Sequence, residues 1–118
     1  MEQIIIKKKK FIVKNNIKMY NIDIDQIYFF EKFERKIEVV IKNRRISYYG
    51  SFIELAEIIN KYSFIQCHKS YIVNYKKIFM IDKDEITFFD IKDKAYISKS
   101  HRENLINIII KNERSIVS

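Results

Sequence analysis

Apolar and polar residues alternate along this chain with two different periods. From Lys36 to Lys42, Ile37, Val39 and Ile41 fall on one side, and Lys36, Glu38 and Lys42 on the other. A period of two marks a half-buried strand, because successive side chains point to opposite faces of a sheet. Asn43-Arg44 is then the expected turn and Arg45 to Tyr49 the return strand. Upstream, Ile4 to Val13 is rich in β-branched residues and interrupted by Lys7 to Lys10. Charge of that kind suits an edge strand, where it discourages pairing with another chain. Asn15-Asn16 turns the chain, Ile17 to Tyr20 returns as a hairpin partner, Asp23 to Gln26 is a short turn, and Ile27 to Phe30 is an apolar strand.

After Gly50 the period changes. Phe52, Leu55, Ala56, Ile58 and Ile59 recur near helical spacing, so one helix face packs inward. Ser51 with Glu54 three residues on fits a capping box, in which each side chain satisfies an orphan backbone N–H. Asn60-Lys61 ends that helix. Extended segments resume at Phe64 to Asn74, Lys77 to Ile81, Glu85 to Phe89 and Lys94 to Ile97, with turns at Asp82-Lys83-Asp84 and Asp90 to Asp93. Ser98 to Ser100 leads into a last helix through about Lys111, where Ser100 and Glu103 offer a second capping box. Phe64, Phe79 and Phe88 lie in apolar runs and are expected in the core. The expected class is mainly β, with one internal helix and one C-terminal helix, as a single domain over residues 1–118.

Composition narrows the function. At 118 residues, 47% apolar and 32% charged, the chain suits one packed domain and not a disordered segment. A single glycine and no proline exclude the glycine-rich phosphate loops of nucleotide-binding folds. The lone Cys67 cannot form an internal disulfide, and Met1 to Ile6 has no secretory pattern, so a cytoplasmic location is expected. No apolar stretch reaches the ~18 residues of a membrane span. Lys and Arg number 23 against 15 acids, a net charge of +8, which points to a polyanionic partner.

Charge placement says more than its sum. Residues 61–77 carry Lys61, Lys69, Lys76 and Lys77 and no acid, whereas residues 82–93 carry five acids against Lys83 and Lys92. Such separation is expected to gather positive charge on one side, as a nucleic-acid face requires. Catalytic patterns are weak. Cys67 and His68 are neighbours, and on a regular strand neighbours face opposite ways, so they make no nucleophile–base pair. Asp82, Asp84 and Glu85 lack the glycine and terminal glutamate of a calcium loop, and two histidines with one cysteine cannot by themselves hold a structural zinc. No enzyme activity, cofactor or metal is expected.

The segment FIQCHKSYIVN, Phe64 to Asn74, resembles the signature of LytTR-type DNA-binding domains, found in the LytR/AgrA response-regulator family. IYFFE at Ile27 to Glu31, ISYYGSFIELAEII at Ile46 to Ile59, and AYISKSHRENL at Ala95 to Leu105 resemble further motifs of that family in the same order. Within the family, the Cys-His pair and the Tyr-Gly before the helix are most like the accessory gene regulator type. The resemblance implies an elongated arrangement of small antiparallel sheets. It also implies a bacterial transcription regulator that binds double-stranded DNA through loops in successive major grooves, with two copies placed on paired repeats. Three loops should then face DNA, carrying Arg35 and Lys36, then His68, Lys69 and Ser70, then Ser98, Lys99, Ser100 and Arg102. Lys69, after the signature histidine, would read a base, and Ser70 would bond a phosphate. His68 would hold its loop as a neutral imidazole, and Asn74 would organise the backbone around it. Tyr75, Lys76 and Lys77 suit positioning on the phosphate backbone. Family members usually carry a phospho-receiver domain, and no such domain is present here. Either an excised domain or a stand-alone member is then expected, and a start at Met1 with its own lysine-rich strand tilts the expectation towards the latter.

Two other classes fit parts of the pattern. A protein-interaction or anti-regulator module on the same scaffold would carry its charge as composition alone. A single-strand binder would stack bases on exposed tyrosines.

Overall fold

The structure, a computed structural model, describes residues 2–112. Among the described residues, eleven short strands form three antiparallel sheets, accompanied by two α-helices. The first sheet holds β1 (Gln3–Lys7), β2 (Lys10–Lys14) and β3 (Met19–Asp23) in that order. The central sheet is built from β4 (Phe29–Phe33), β5 (Lys36–Ile41), β6 (Arg44–Tyr49), β7 (Phe64–His68) and β8 (Tyr71–Asn74), ordered β6-β5-β4-β8-β7. The third sheet, ordered β11-β10-β9, comprises β9 (Ile78–Asp82), β10 (Glu85–Phe88) and β11 (Ala95–Tyr96). Helix α1 (Phe52–Ile59) links β6 to β7, and α2 (Lys99–Asn112) follows β11. The expected mainly β class with an internal and a C-terminal helix is what forms, and at 51 × 29 × 26 Å the molecule is elongated.

The central sheet is buried on both faces, and this explains its sequence. One face carries Phe30, Ile37, Val39, Ile46, Tyr48 and Ile72, packed on Phe11, Val13 and Ile22 of the first sheet and Leu55 of α1. The other carries Phe29, Val40, Tyr71 and Val73, packed on Ile86 and Phe88 of the third sheet and Leu105 of α2. Phe29 and Phe30 are adjacent and both fully buried, one in each core. A strand covered on both faces needs an unbroken apolar run, whereas a strand with one wet face alternates.

Several expected boundaries shift. The lysine block Lys7–Lys10 is not a charged strand interior: Lys8-Lys9 is the turn between β1 and β2, and both residues have positive φ (52° and 66°). The turn after β5 is Lys42-Asn43, where Asn43 takes the left-handed conformation (φ 65°) that asparagine tolerates. Ser51 caps α1 by accepting the Glu54 N–H at 3.2 Å, but the Glu54 carboxylate meets the Ser51 hydroxyl at 3.3 Å, so only half of the capping box forms. The second capping box fails because α2 already begins at Lys99, which places Ser100 inside the helix and Ser98 just before it. Phe64 and Phe88 are buried as expected, but Phe79 is not: it is 64% exposed and lies edge-on to Phe89.

Asn74 is the one buried polar side chain among the described residues, and its bonds explain why it is tolerated. Its Nδ2 donates to the Ile27 carbonyl at 2.9 Å, and its Oδ1 accepts from the Ser63 hydroxyl at 2.7 Å and the Lys76 N–H at 3.2 Å. The backbone organiser expected from the sequence therefore locks the end of β8 to both flanking segments.

Candidate nucleic-acid interface

Strand direction decides which loops meet. β4 and β8 are antiparallel, with Glu31 opposite Tyr71, so the Glu34-Arg35 turn after β4 and the Lys69-Ser70 turn before β8 emerge at the same end of the central sheet. The Lys32 N–H donates to the Ser70 carbonyl at 2.8 Å, and the Gly50 N–H donates to the Arg35 carbonyl at 3.1 Å. Lys32, unnoticed in the sequence, places its ammonium on the Glu34 carbonyl at 2.7 Å and near the Gly50 carbonyl at 3.4 Å. A third segment joins them, because the Ser98 N–H donates to the Cys67 carbonyl at 2.9 Å and brings the start of α2 beside the end of β7. Arg35, Lys36, Lys69, Lys99 and Ser100 are exposed there, while His68, Ser70, Ser98 and Arg102 are half-buried.

The half-buried members hold the others in place. His68 accepts the Ser70 N–H on Nδ1 at 3.0 Å, which requires that nitrogen to be unprotonated, and its ring lies edge-on to Tyr71. Gln66 Nε2 donates to the His68 carbonyl at 3.1 Å and closes the same hairpin from the other side. The Ser98 hydroxyl bonds His101 Nδ1, a partner that the sequence did not single out. Arg102 Nε donates to the Lys83 carbonyl at 3.1 Å and ties α2 to the β9–β10 turn. Lys36 lies over the Tyr49 ring at 5.5 Å.

Tyr75, Lys76 and Lys77 do not join this group. They form a single 3-10 turn at the other end of β8, which at about 3.3 Å per residue is some 15 Å away. The Tyr75 N–H donates to the Ser63 carbonyl at 2.9 Å, and the Lys77 ammonium sits over the Tyr28 ring at 4.9 Å. The positive segment 61–77 is therefore divided between two ends of the sheet, not gathered on one side. The acids downstream are partly used up within the fold. Asp93 bonds Arg45, which also reaches Glu31 and Glu38, and Glu85 pairs with Lys94. Burial works against the Arg45 charge, but the three carboxylates outweigh it and hold the guanidinium's pKa above its usual value. Tyr71 donates to Glu31 Oε2 at 3.0 Å, and burial together with that carboxylate raises its phenol.

Cys67 is no nucleophile. A bulge between Gln66 and His68 breaks the expected strict alternation, and the extra residue, Cys67, turns fully into the core beside the Tyr96 carbonyl at 3.4 Å. Burial pushes its thiol up to about 12. A thiol reagent at pH 8 should leave the native protein unlabelled over a period in which the urea-unfolded chain reacts completely; stoichiometric labelling of the native form would contradict this placement.

The profile of the LytTr DNA-binding domain family matches residues 17–110. The chain belongs to the LytTR DNA-binding domain family. This LytTR domain is 35% identical over 77 residues to accessory gene regulator protein A of Staphylococcus aureus, and 32% identical over 77 residues to that of Staphylococcus epidermidis. Each match covers 63% of this chain and 32% of the relative, so the chain spans about a third of the length of these curated relatives. A LytTr DNA-binding domain from Bacillus cereus shares the fold, with a TM-score of 0.73 and 20% identity over 87% of this chain and 98% of that one. The LytTR match begins at Ile17, after the β1–β2 hairpin and its lysine turn. No described helix is long and apolar enough to cross a membrane.

Proposed function

We propose that this LytTR domain binds double-stranded DNA selectively, as the DNA-reading part of a bacterial transcription regulator. The observation that carries the reading is the lacing of three cation-bearing segments, around Arg35, Lys69 and Lys99, into one end of a two-sided β scaffold. Lysine and arginine there can donate to guanine O6 and N7 in the major groove. Lys69 reads a base, with Lys99 and Arg35 entering beside it. Lys36, Ser70, Ser98 and Ser100 contact phosphates, which orient without specifying. His68 acts through Ser70, because its Nδ1 is already engaged in the hairpin. Arg102 has Nε on the Lys83 carbonyl, which leaves its terminal nitrogens to face DNA. Two copies on paired repeats extend the contact along the duplex.

Selection of bound sites from random duplex DNA tests this. An enriched motif, as a paired repeat, is the expected result. Tighter binding to single strands than to duplex would favour base stacking on tyrosines instead. Duplex affinity that hardly changes between low and moderate salt would remove the phosphate contacts and favour a protein partner.

A further inference from the structure

The end of the molecule opposite Lys69 carries a second concentration of positive charge, and its Lys7 to Lys9 part lies outside the family match. The Lys9 carbonyl accepts the Ile24 N–H at 2.9 Å, which sets the β1–β2 turn against the 3-10 turn Ile24–Gln26. Ile27, next in the chain, meets Asn74, and Asn74 meets Ser63 and Lys76. Lys7 and Lys8 line one groove with Asn60, Lys61 and Glu57 at the C-terminal end of α1. The Lys7–Lys10 turn, Lys61 and Lys76 thus share one pole. Lys10 is neutralised by Asp23. Glu57 and Asp25 are the other acids there, and among the described residues neither holds an ion pair with Lys7, Lys8, Lys9, Lys61 or Lys76.

The turn itself is informative. Both Lys8 and Lys9 have positive φ, the pattern of a type I′ hairpin turn, for which Asn-Gly is the favoured pair and lysine is strained. Two lysines held in that conformation serve the fold poorly, but both are exposed at the tip of the β1–β2 hairpin. We propose that Lys7, Lys8 and Lys9, with Lys61 and Lys76, form a second phosphate-binding surface that takes the backbone of duplex DNA. It contributes affinity without sequence preference, and it rests on the DNA-binding reading above.

The test replaces Lys8→Asn and Lys9→Gly together, which removes two charges while giving the turn its preferred residues. Binding is measured across salt on a selected site and on random duplex. The expected result is a several-fold loss at low salt on both duplexes and a log-affinity against log-salt slope shallower by about 1 to 2. Sequence preference should stay unchanged and the Tm unchanged or higher. A Lys61→Gln, Lys76→Gln variant should act in the same direction. An unchanged slope in both variants, with wild-type binding intact, overturns this surface and leaves the reading loops standing; no duplex binding by the wild type overturns both. Two differently labelled duplexes identify the source of the phosphates. Their co-capture by one protein shows a second duplex, and a loss seen only on longer single duplexes shows the same one.

Discussion

Lys69→Ala should weaken binding to a selected duplex site by roughly 5- to 150-fold, the equivalent of about 1–3 kcal/mol for a good base contact. On random duplex the same change should cost only the part due to one lost charge. The difference between the two losses is the measure of base reading, obtained from titrations at one fixed salt concentration. The expectation is large because the hairpin tip is already fixed: Ser70 is bonded to His68 on one side and to Lys32 on the other, so little ordering remains to be done on binding. Lys69→Arg should keep affinity and sharpen preference at that position, since a planar guanidinium fits guanine at two points where an ammonium makes a less directed contact. Lys69 is exposed, and neither variant should move the thermal midpoint. Equal losses on selected and random DNA would make Lys69 a phosphate contact and return the reading role to Arg35 or Lys99.

The distribution of charge shows where a linear reading succeeds and where it fails. The motif around His68 was legible because β7, a two-residue turn and β8 follow one another in the chain, but residue types alone read Phe64 to Asn74 as one extended segment, and the loop at Lys69-Ser70 came only from the family resemblance. The companion loops were likewise legible only through that resemblance, since nothing in the chain's spacing tells that β4 pairs with β8. The charge map went wrong for a simple geometric reason. Each strand carries the chain across the sheet, so Lys61 and Lys76, before β7 and after β8, return to one end while Lys69 lies at the other. A cluster in sequence becomes two clusters in space. Phe79 misled for a related reason: β9 is an edge strand of a small sheet, and an apolar run there is not covered on both faces as it is in β4. The Cys67 bulge had no sequence signal, because one extra residue changes register without changing composition.

Burial on both faces of the central sheet makes Phe29 the position where a single truncation should cost most. Its ring is fully buried, stacks on Phe88 at 5.1 Å with 18° between planes, contacts Tyr71 at 5.9 Å, and lies beneath the Arg45 guanidinium at 5.6 Å. Phe29→Ala should destabilise the domain by about 3–5 kcal/mol, from lost transfer free energy and the cavity left behind. Against a total stability of about 5–15 kcal/mol, that lowers the thermal midpoint by well over 10 °C. Phe30→Ala, one residue on, should cost a similar amount, because Phe30 is as buried and packs on Phe11 and Phe64 in the other core. The two variants should nevertheless loosen different parts of the molecule. Losing Phe29 frees the third sheet and α2, so amide exchange should quicken at Ile86, Ala95 and Leu105, and the Ser98–Arg102 segment should lose its position before the Lys69 turn does. Losing Phe30 frees the first sheet, with exchange quickening at Phe11 and Ile22. DNA affinity, measured well below either midpoint, should therefore fall more for Phe29→Ala than for Phe30→Ala at matched stability. Equal affinity losses, or exchange that quickens uniformly in both variants, would show that the two cores unfold as one unit and that the third sheet has no separate role in placing the start of α2.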